Sequence, residues 1–359
     1  MRQFMPLGLV AVLGLAAAFE PSAAQAVLDA KRPLAFQPAA PDGVTAMTVA
    51  AAARLQAALN DEQRARLVLD EGDEAQRVRW SNLPTGIFTR AGIRMGELDD
   101  PQRGLVFALL GAFLSPEGVQ AVRDNMDADE TLTSGAPRGG IAFGKGEYYL
   151  SLRGAPSLEQ PFTLQFGGHH LALNAAFLGA RVTLSPLLTG GQPMHYKRGD
   201  EAVSQMDTEV TRAYALVAAL DDAQRARAVV AAQPIDLTWG PGRESAEDAT
   251  RPPAAVGIPA SALNDDERKQ LLALVHARLA LLNTSAAAAR LAEVEAELSA
   301  LTFAWFGSTR PGELMSYRVQ GPSVFMEYAP QGRGPAAAEH VHAIYRDPTN
   351  DYGRALARK

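Results

Sequence analysis

The chain has 359 residues, 47% of them hydrophobic, with no cysteine and a formal net charge of -6. That length suits one large domain or two ordinary ones, and the missing cysteines exclude a disulfide framework, a lipoprotein anchor and a cysteine nucleophile. Arginines are scattered among acids without a basic block, so nucleic acid is not an expected partner.

In chain order, Arg2, the apolar run Leu7 to Phe19 and the small-x-small triplet Ala24-Gln25-Ala26 read as a secretory signal over residues 1–26. The run is shorter than the roughly 20 residues that span a bilayer, and no later stretch approaches that length without charge. The expectation is a periplasmic or secreted mature chain, 27–359, folded as one large domain with no membrane span.

Four related hexamers follow: LNDEQR from Leu59, LDDPQR from Leu98, LDDAQR from Leu220 and LNDDER from Leu263. Each predicts a helix start, with Asn60, Asp99, Asp221 and Asn264 as N-caps and Gln63, Gln102, Gln224 and Glu267 completing capping boxes. Their irregular intervals favour reuse of a good start signal over a solenoid of fixed period. Helices are predicted at Thr45 to Leu59, Asp61 to Glu71, Pro101 to Leu110, Glu117 to Asp127, Asp200 to Val217, Asp222 to Ala232, Asp265 to Leu282 and Thr284 to Leu301. Leu271, Leu274, Val275, Leu279 and Leu282 line one face of the seventh, as a core-facing helix requires.

Strand patterns fall in two blocks. The first holds Glu147 to Arg153, Pro161 to Phe166, His169 to Leu173 and Arg181 to Leu184. The second runs through Phe303 to Arg346, with strands at Glu313 to Gln320, Ser323 to Tyr328 and His340 to Tyr345. Short links such as Gly321-Pro322 indicate antiparallel neighbours. The fold class expected is α+β, a mainly antiparallel sheet or barrel-like core built from two strand blocks with flanking helices. Gly240 to Pro259, rich in proline, reads as an exposed loop.

Four of the six histidines stand in two pairs, His169-His170 in QFGGHHLAL and His340-x-His342 in EHVHAIYRDPTNDYG. Residues two apart on a strand point to one face, so both rings of the second pair can reach one ion. One of His169 and His170 is expected to join them and the other to brace its loop. Glu327, in the neighbouring VFMEY, is the candidate ligand or general base, with ion pairing to Arg318 or Arg346 as its alternative. Zinc, copper or iron suits such a set. Asp347 and Asp351 are candidate orienting carboxylates, with an Asx-type turn at Asp347 before Pro348. Arg346 can bind an anionic substrate group or pair structurally. Trp80 and Asn82 in VRWSNLPTG, and Glu147, Tyr148 and Tyr149, form two further polar-aromatic clusters. No phosphate loop, HExxH or GxSxG is present, so no nucleotide cofactor is expected.

WSNLP, FGGHHLAL, the YRVQGPSVFMEY hairpin and HVHAIYRDPTNDYG together resemble the domain-of-unknown-function 3500 family of secreted and periplasmic proteins. The matching positions are Trp80, Asn82, His169, His170, Glu327, His340, His342, Arg346, Asp347 and Asp351. The connector PAAAEH departs from the Asn- or Asp-rich pattern expected there. The resemblance implies no particular activity. The functional expectation is a metal-dependent hydrolase acting on a small or oligomeric extracellular substrate, and its rival is a non-catalytic periplasmic small-molecule binding protein.

Overall fold

The computed structural model describes residues 43–134, 139–241 and 252–356. The proposed signal segment lies outside them, as does half of the Gly240 to Pro259 loop.

Most of one succession of elements occurs twice along the chain. In the first half, α1 (Val44–Ala58) and α2 (Asp61–Leu67) lead into the short β1 (Val68–Leu69). After α3 (Glu74–Val78) come β2 (Ile93–Arg94), α4 (Asp100–Leu110) and α5 (Pro116–Thr131). Four strands complete it: β3 (Tyr149–Arg153), β4 (Phe162–Gly168), β5 (Leu171–Leu178) and β6 (Arg181–Gly191). A hairpin of β7 (His195–Arg198) and β8 (Glu201–Ser204) intervenes. The second half then has α6 (Asp207–Ala219), α7 (Asp222–Ala228), β9 (Val229–Ala231), β10 (Ile258–Pro259), α8 (Asp265–Leu279) and α9 (Thr284–Ala296). It closes with β11 (Thr302–Gly307), β12 (Met315–Gln320), β13 (Phe325–Pro330) and β14 (Val341–Arg346).

Pairing repeats as faithfully as order. β3 has β1 parallel and β2 antiparallel beside it, and β11 has β9 parallel and β10 antiparallel. Gly92 and Gly257 take positive φ at the same point of each half, where a side-chain carbon would lie 2.2 Å from the Leu150 or Phe303 carbonyl oxygen. Arg103 Nε donates to the Met95 carbonyl, and Arg268 Nε to that of Ala260, each at 3.0 Å. The recurring hexamers are therefore landmarks of an internal duplication, not merely a start signal reused. All four form capping boxes. They also pair within each half: Gln63 Nε2 donates to Gln102 Oε1 at 3.3 Å, and Gln224 Nε2 to Glu267 Oε2 at 2.8 Å.

The halves join where β6 and β14 run antiparallel, giving the order β1-β3-β4-β5-β6-β14-β13-β12-β11-β10. A barrel would need the two ends of this order to pair. Among the described residues they do not, so the fold is α+β with an open, mostly antiparallel sheet, and the barrel-like alternative is corrected. Duplication extends the sheet outward from its central seam, which carries the end strands apart.

Some boundaries also differ from expectation. Residues 200–206 belong to the β7–β8 hairpin and a left-handed turn at Met206 (φ 57), so that helix begins only at Asp207. The helices expected through Glu71 and Ala232 stop at Leu67 and Ala228, where each chain peels off to form a parallel edge strand.

One face of the sheet carries the main core. Leu150, Leu164, Leu173, Trp305, Tyr317, Met326, Val341, Ala343 and Tyr345 pack there with Leu55, Leu109, Val122, Leu271 and Leu279 of the helices. Because side chains alternate along a strand, His342, Ile344 and Arg346 of β14 emerge on the other face. Segments around Trp80 and Trp239 cover that face.

Candidate metal centre

The β4–β5 hairpin turns in two residues, His169 and His170, between the paired Gly168 and Leu171. Both preceding glycines are required by contact. A side-chain carbon on Gly167 would sit 2.5 Å from the Leu171 carbonyl oxygen, and one on Gly168 would sit 2.7 Å from the Tyr148 ring. His170 occupies the left-handed region at φ 60, a conformation that favours glycine and costs other residues of order 1–3 kcal/mol. The surroundings hold it there. The His170 amide donates to the Asn82 carbonyl at 3.1 Å, and Asn125 Nδ2 donates to the carbonyls of His170 at 3.1 Å and Gly190 at 2.5 Å. Tyr148, fully buried beneath the turn, donates to the His169 carbonyl at 2.8 Å.

From the other half, β14 and the residue before it present His342 and His340 to the same point. His170, His340 and His342 each offer a ring nitrogen, and these three atoms lie within 4.8 Å of one another. Their ring centres are 4.8, 5.0 and 5.3 Å apart. Gly190 faces His342 across the β6–β14 seam. A side-chain carbon there would meet the Val341 carbonyl at 2.7 Å and the His170 ring at 3.1 Å, so its absence makes room for the cluster.

Protonation favours ligation. Burial, reinforced by the neighbouring rings, lowers the His170 pKa well below its ordinary value. Burial likewise lowers His340 and brings His342 down to about 3. Each shift favours the neutral imidazole, the state a metal requires. Asn82 Nδ2 lies 3.0 Å from Nε2 and 3.4 Å from Nδ1 of His342, close enough to donate to whichever ring nitrogen is unprotonated. Nε2 of His170 and Nε2 of His340 are 2.8 Å apart. Two nitrogens on one tetrahedral zinc, with bonds of about 2.0–2.1 Å, stand roughly 3.3 Å apart, so these two must part by about 0.5 Å to share an ion.

The other residues singled out in the sequence lie as follows. His169 is outside the triad: its Nδ1 donates to Asp129 Oδ1 at 2.6 Å, and its ring centre is 3.7 Å from that of His170. Glu327 shares the face of His342, one diagonal away across β13 and β14, but four donors meet its carboxylate. These are Arg318 Nε at 2.8 Å, Thr238 Oγ1 at 2.6 Å and the amides of Thr238 and Trp239 at 2.8 and 3.3 Å. In the first half Gln165 and Asn174, which face each other across β4 and β5, make the corresponding bond at 3.0 Å. Arg346 is buried, pairs with Asp351 at 2.6 Å and stacks on Trp239 at 4.1 Å. Asp351 also accepts from Ser185 Oγ. Asp347 accepts from the Thr349 and Asn350 amides in a local turn and pairs with Arg290 at 3.3 Å. Trp80 donates to the Tyr352 hydroxyl at 2.7 Å. Among the described contacts Asn82 touches a histidine of the triad, whereas the proposed orienting carboxylates Asp347 and Asp351 are engaged elsewhere.

Residues 42–354 match the family model described as a protein of unknown function, DUF3500. The chain belongs to this family. The match takes in both histidine pairs and every other site residue proposed for the family, from Trp80 to Asp351. No curated protein and no solved structure matches the chain. Sequence reasoning missed Asp129, Asn125 and Gly190, none of which carries a local signal, because each earns its place only through contact with the β4–β5 turn.

Proposed function

We propose that His170, His340 and His342 bind one divalent transition-metal ion, zinc, copper or iron, and that the protein is an exported metal-dependent hydrolase. The observation that carries this reading is the convergence of three imidazole nitrogens within 4.8 Å. Three imidazoles are the ligand set of catalytic sites that keep a further position open. Bound there, zinc would supply Lewis acidity sufficient to bring a water's pKa to about 7.

The chain's own residues perform the positioning. Asp129, fixed by the Gly144 amide at 2.8 Å, anchors His169 and thereby braces the turn that aims His170. Asn82 holds the His342 ring while its carbonyl holds the His170 backbone. Half-exposed His340 marks the side open to solvent. Glu327 does not enter this reading, since Arg318, Thr238 and Trp239 occupy its oxygens. Export rests on the residue pattern of 1–26.

Metal analysis of the untagged full chain, beside a variant carrying His340→Ala and His342→Ala, tests the proposal. Near-stoichiometric metal is expected in the wild type and little in the variant. Equal content in the two would sink it.

A further inference from the structure

A second feature of the same face lies next to the triad. Trp80, Ser81, Thr89, Arg79, Arg90 and Tyr149 wall a cavity of about 30 Å³ that is floored by β4 and β5. That is room for a water-sized polar group, since a cavity needs about 10–15 Å³ of water-accessible volume to hold one water. Arg90 is largely buried there, and among the described residues it has no carboxylate within ion-pair distance. Its Nη2 donates to the carbonyls of Ser81 at 2.8 Å, Leu83 at 2.5 Å and Gly168 at 2.8 Å. Its Nη1 is shielded from solvent and has no hydrogen-bond partner. Burial lowers the Arg90 pKa to about 10, outweighing the opposing pull of the more distant Asp129 and Glu147 carboxylates. Arg79, exposed at the rim, likewise shows no ion pair among the described residues, and both guanidinium groups lie over the Phe88 ring, at 5.5 and 5.4 Å.

A buried guanidinium with an idle donor is costly unless something accepts from it. The Ser81 and Leu83 carbonyls that hold Arg90 flank Asn82, and the Gly168 carbonyl is two residues from His170. We propose that Arg90 and Arg79 form an oxyanion-binding pocket that takes the carboxylate, or the sulfate-like group, of a small acidic substrate and sets it beside the histidine triad. The planar fork of arginine suits both geometries. The word substrate rests on the hydrolase reading above; the pocket as an anion site does not.

Calorimetric titration of the metal-free full chain with sodium acetate and, separately, sodium sulfate, at ionic strength fixed with sodium chloride, tests the pocket. Saturable binding of at least one anion is expected. Acetate alone would assign a carboxylate, sulfate alone a tetrahedral oxyanion, and both would assign a general oxyanion site. Arg90→Lys should weaken binding by at least about tenfold, and so should Arg79→Gln, which alters only an exposed rim and keeps the test valid should the Arg90 variant misfold. The variant carrying His340→Ala and His342→Ala should bind the anion as the wild type does, so a failed metal reading leaves this result intact. No saturable anion binding in the wild type, or unchanged affinity in Arg79→Gln, would overturn the proposal.

Discussion

His170 is the residue at which structure and chemistry meet most closely. A glycine would satisfy the two-residue turn at φ 60 without strain, so the imidazole is there at a cost, and the cluster supplies the reason. The same burial that makes the triad good ligands makes it acid-sensitive. His170 and His340 are depressed, and His342 lies at about 3, by burial in each case, whereas an unfolded histidine binds its proton near 6.5. Between those values the unfolded chain holds more protons, so the contribution is full above about 6.5 and is lost as pH falls toward the folded values. The urea midpoint of the metal-free protein should therefore decline from about pH 7 to about pH 5, and decline less in His342→Gln. A flat midpoint, the same in both proteins, would contradict this. The histidines themselves were legible in the sequence, and so was the shared reach of His340 and His342. Which of His169 and His170 joins them was not, because the choice depends on Asp129, some forty residues upstream, capturing the first ring.

Among the elements, the helix starts were read best. A capping box needs only residues three apart, so Asn60, Asp99, Asp221 and Asn264 act as local spacing requires. Their partners do more than cap. Glu267 Oε2 accepts from both the Asn264 amide and Gln224 Nε2, each at 2.8 Å, and the residue is buried. Asn264→Ala should cost about 1 kcal/mol, the ordinary price of a lost cap. Glu267→Ala should cost more, because it also strips the Gln224 amide of its acceptor. Equal denaturation midpoints for the two variants would show that the link between the boxes contributes nothing. Where helix gave way to strand, at Val68 and Val229, the boundary was missed: those residues leave the helix only because β3 and β11 are there to pair with.

Across the whole molecule, the duplication explains where the site lies. The triad takes His170 from a turn of the first half and His340 and His342 from the last strand region of the second, across the β6–β14 seam. Reciprocal bonds tie the halves again on the helical layer. The Ser115 amide donates to the Leu281 carbonyl at 3.1 Å, and the Asn283 amide to the Phe113 carbonyl at 2.9 Å. An ion held by both halves stabilises their union by mass action, about 2.7 kcal/mol at a hundredfold excess over its dissociation constant. Thermal scans should show a higher midpoint with zinc than with chelator in the wild type, and no difference in His342→Gln. Identical midpoints in the wild type would show that no metal links the halves. No helix among the described residues is long and apolar enough to cross a membrane.

The sequence by itself determined what is encoded over a few residues: the caps, the α+β class, the antiparallel hairpins and the two histidine pairs with their strand-spaced member. These depend on spacing along the chain and on local backbone preference. Tertiary structure decided the open sheet, the repetition of one half in the other, the selection of His170, the room left by Gly190 and the buried, unpartnered donor of Arg90. Each of these is a relation between segments brought together only when β6 meets β14 or when the segment around Trp80 folds over the sheet. Packing, solvent exclusion and counter-charge act through space, and no spacing along the chain records them.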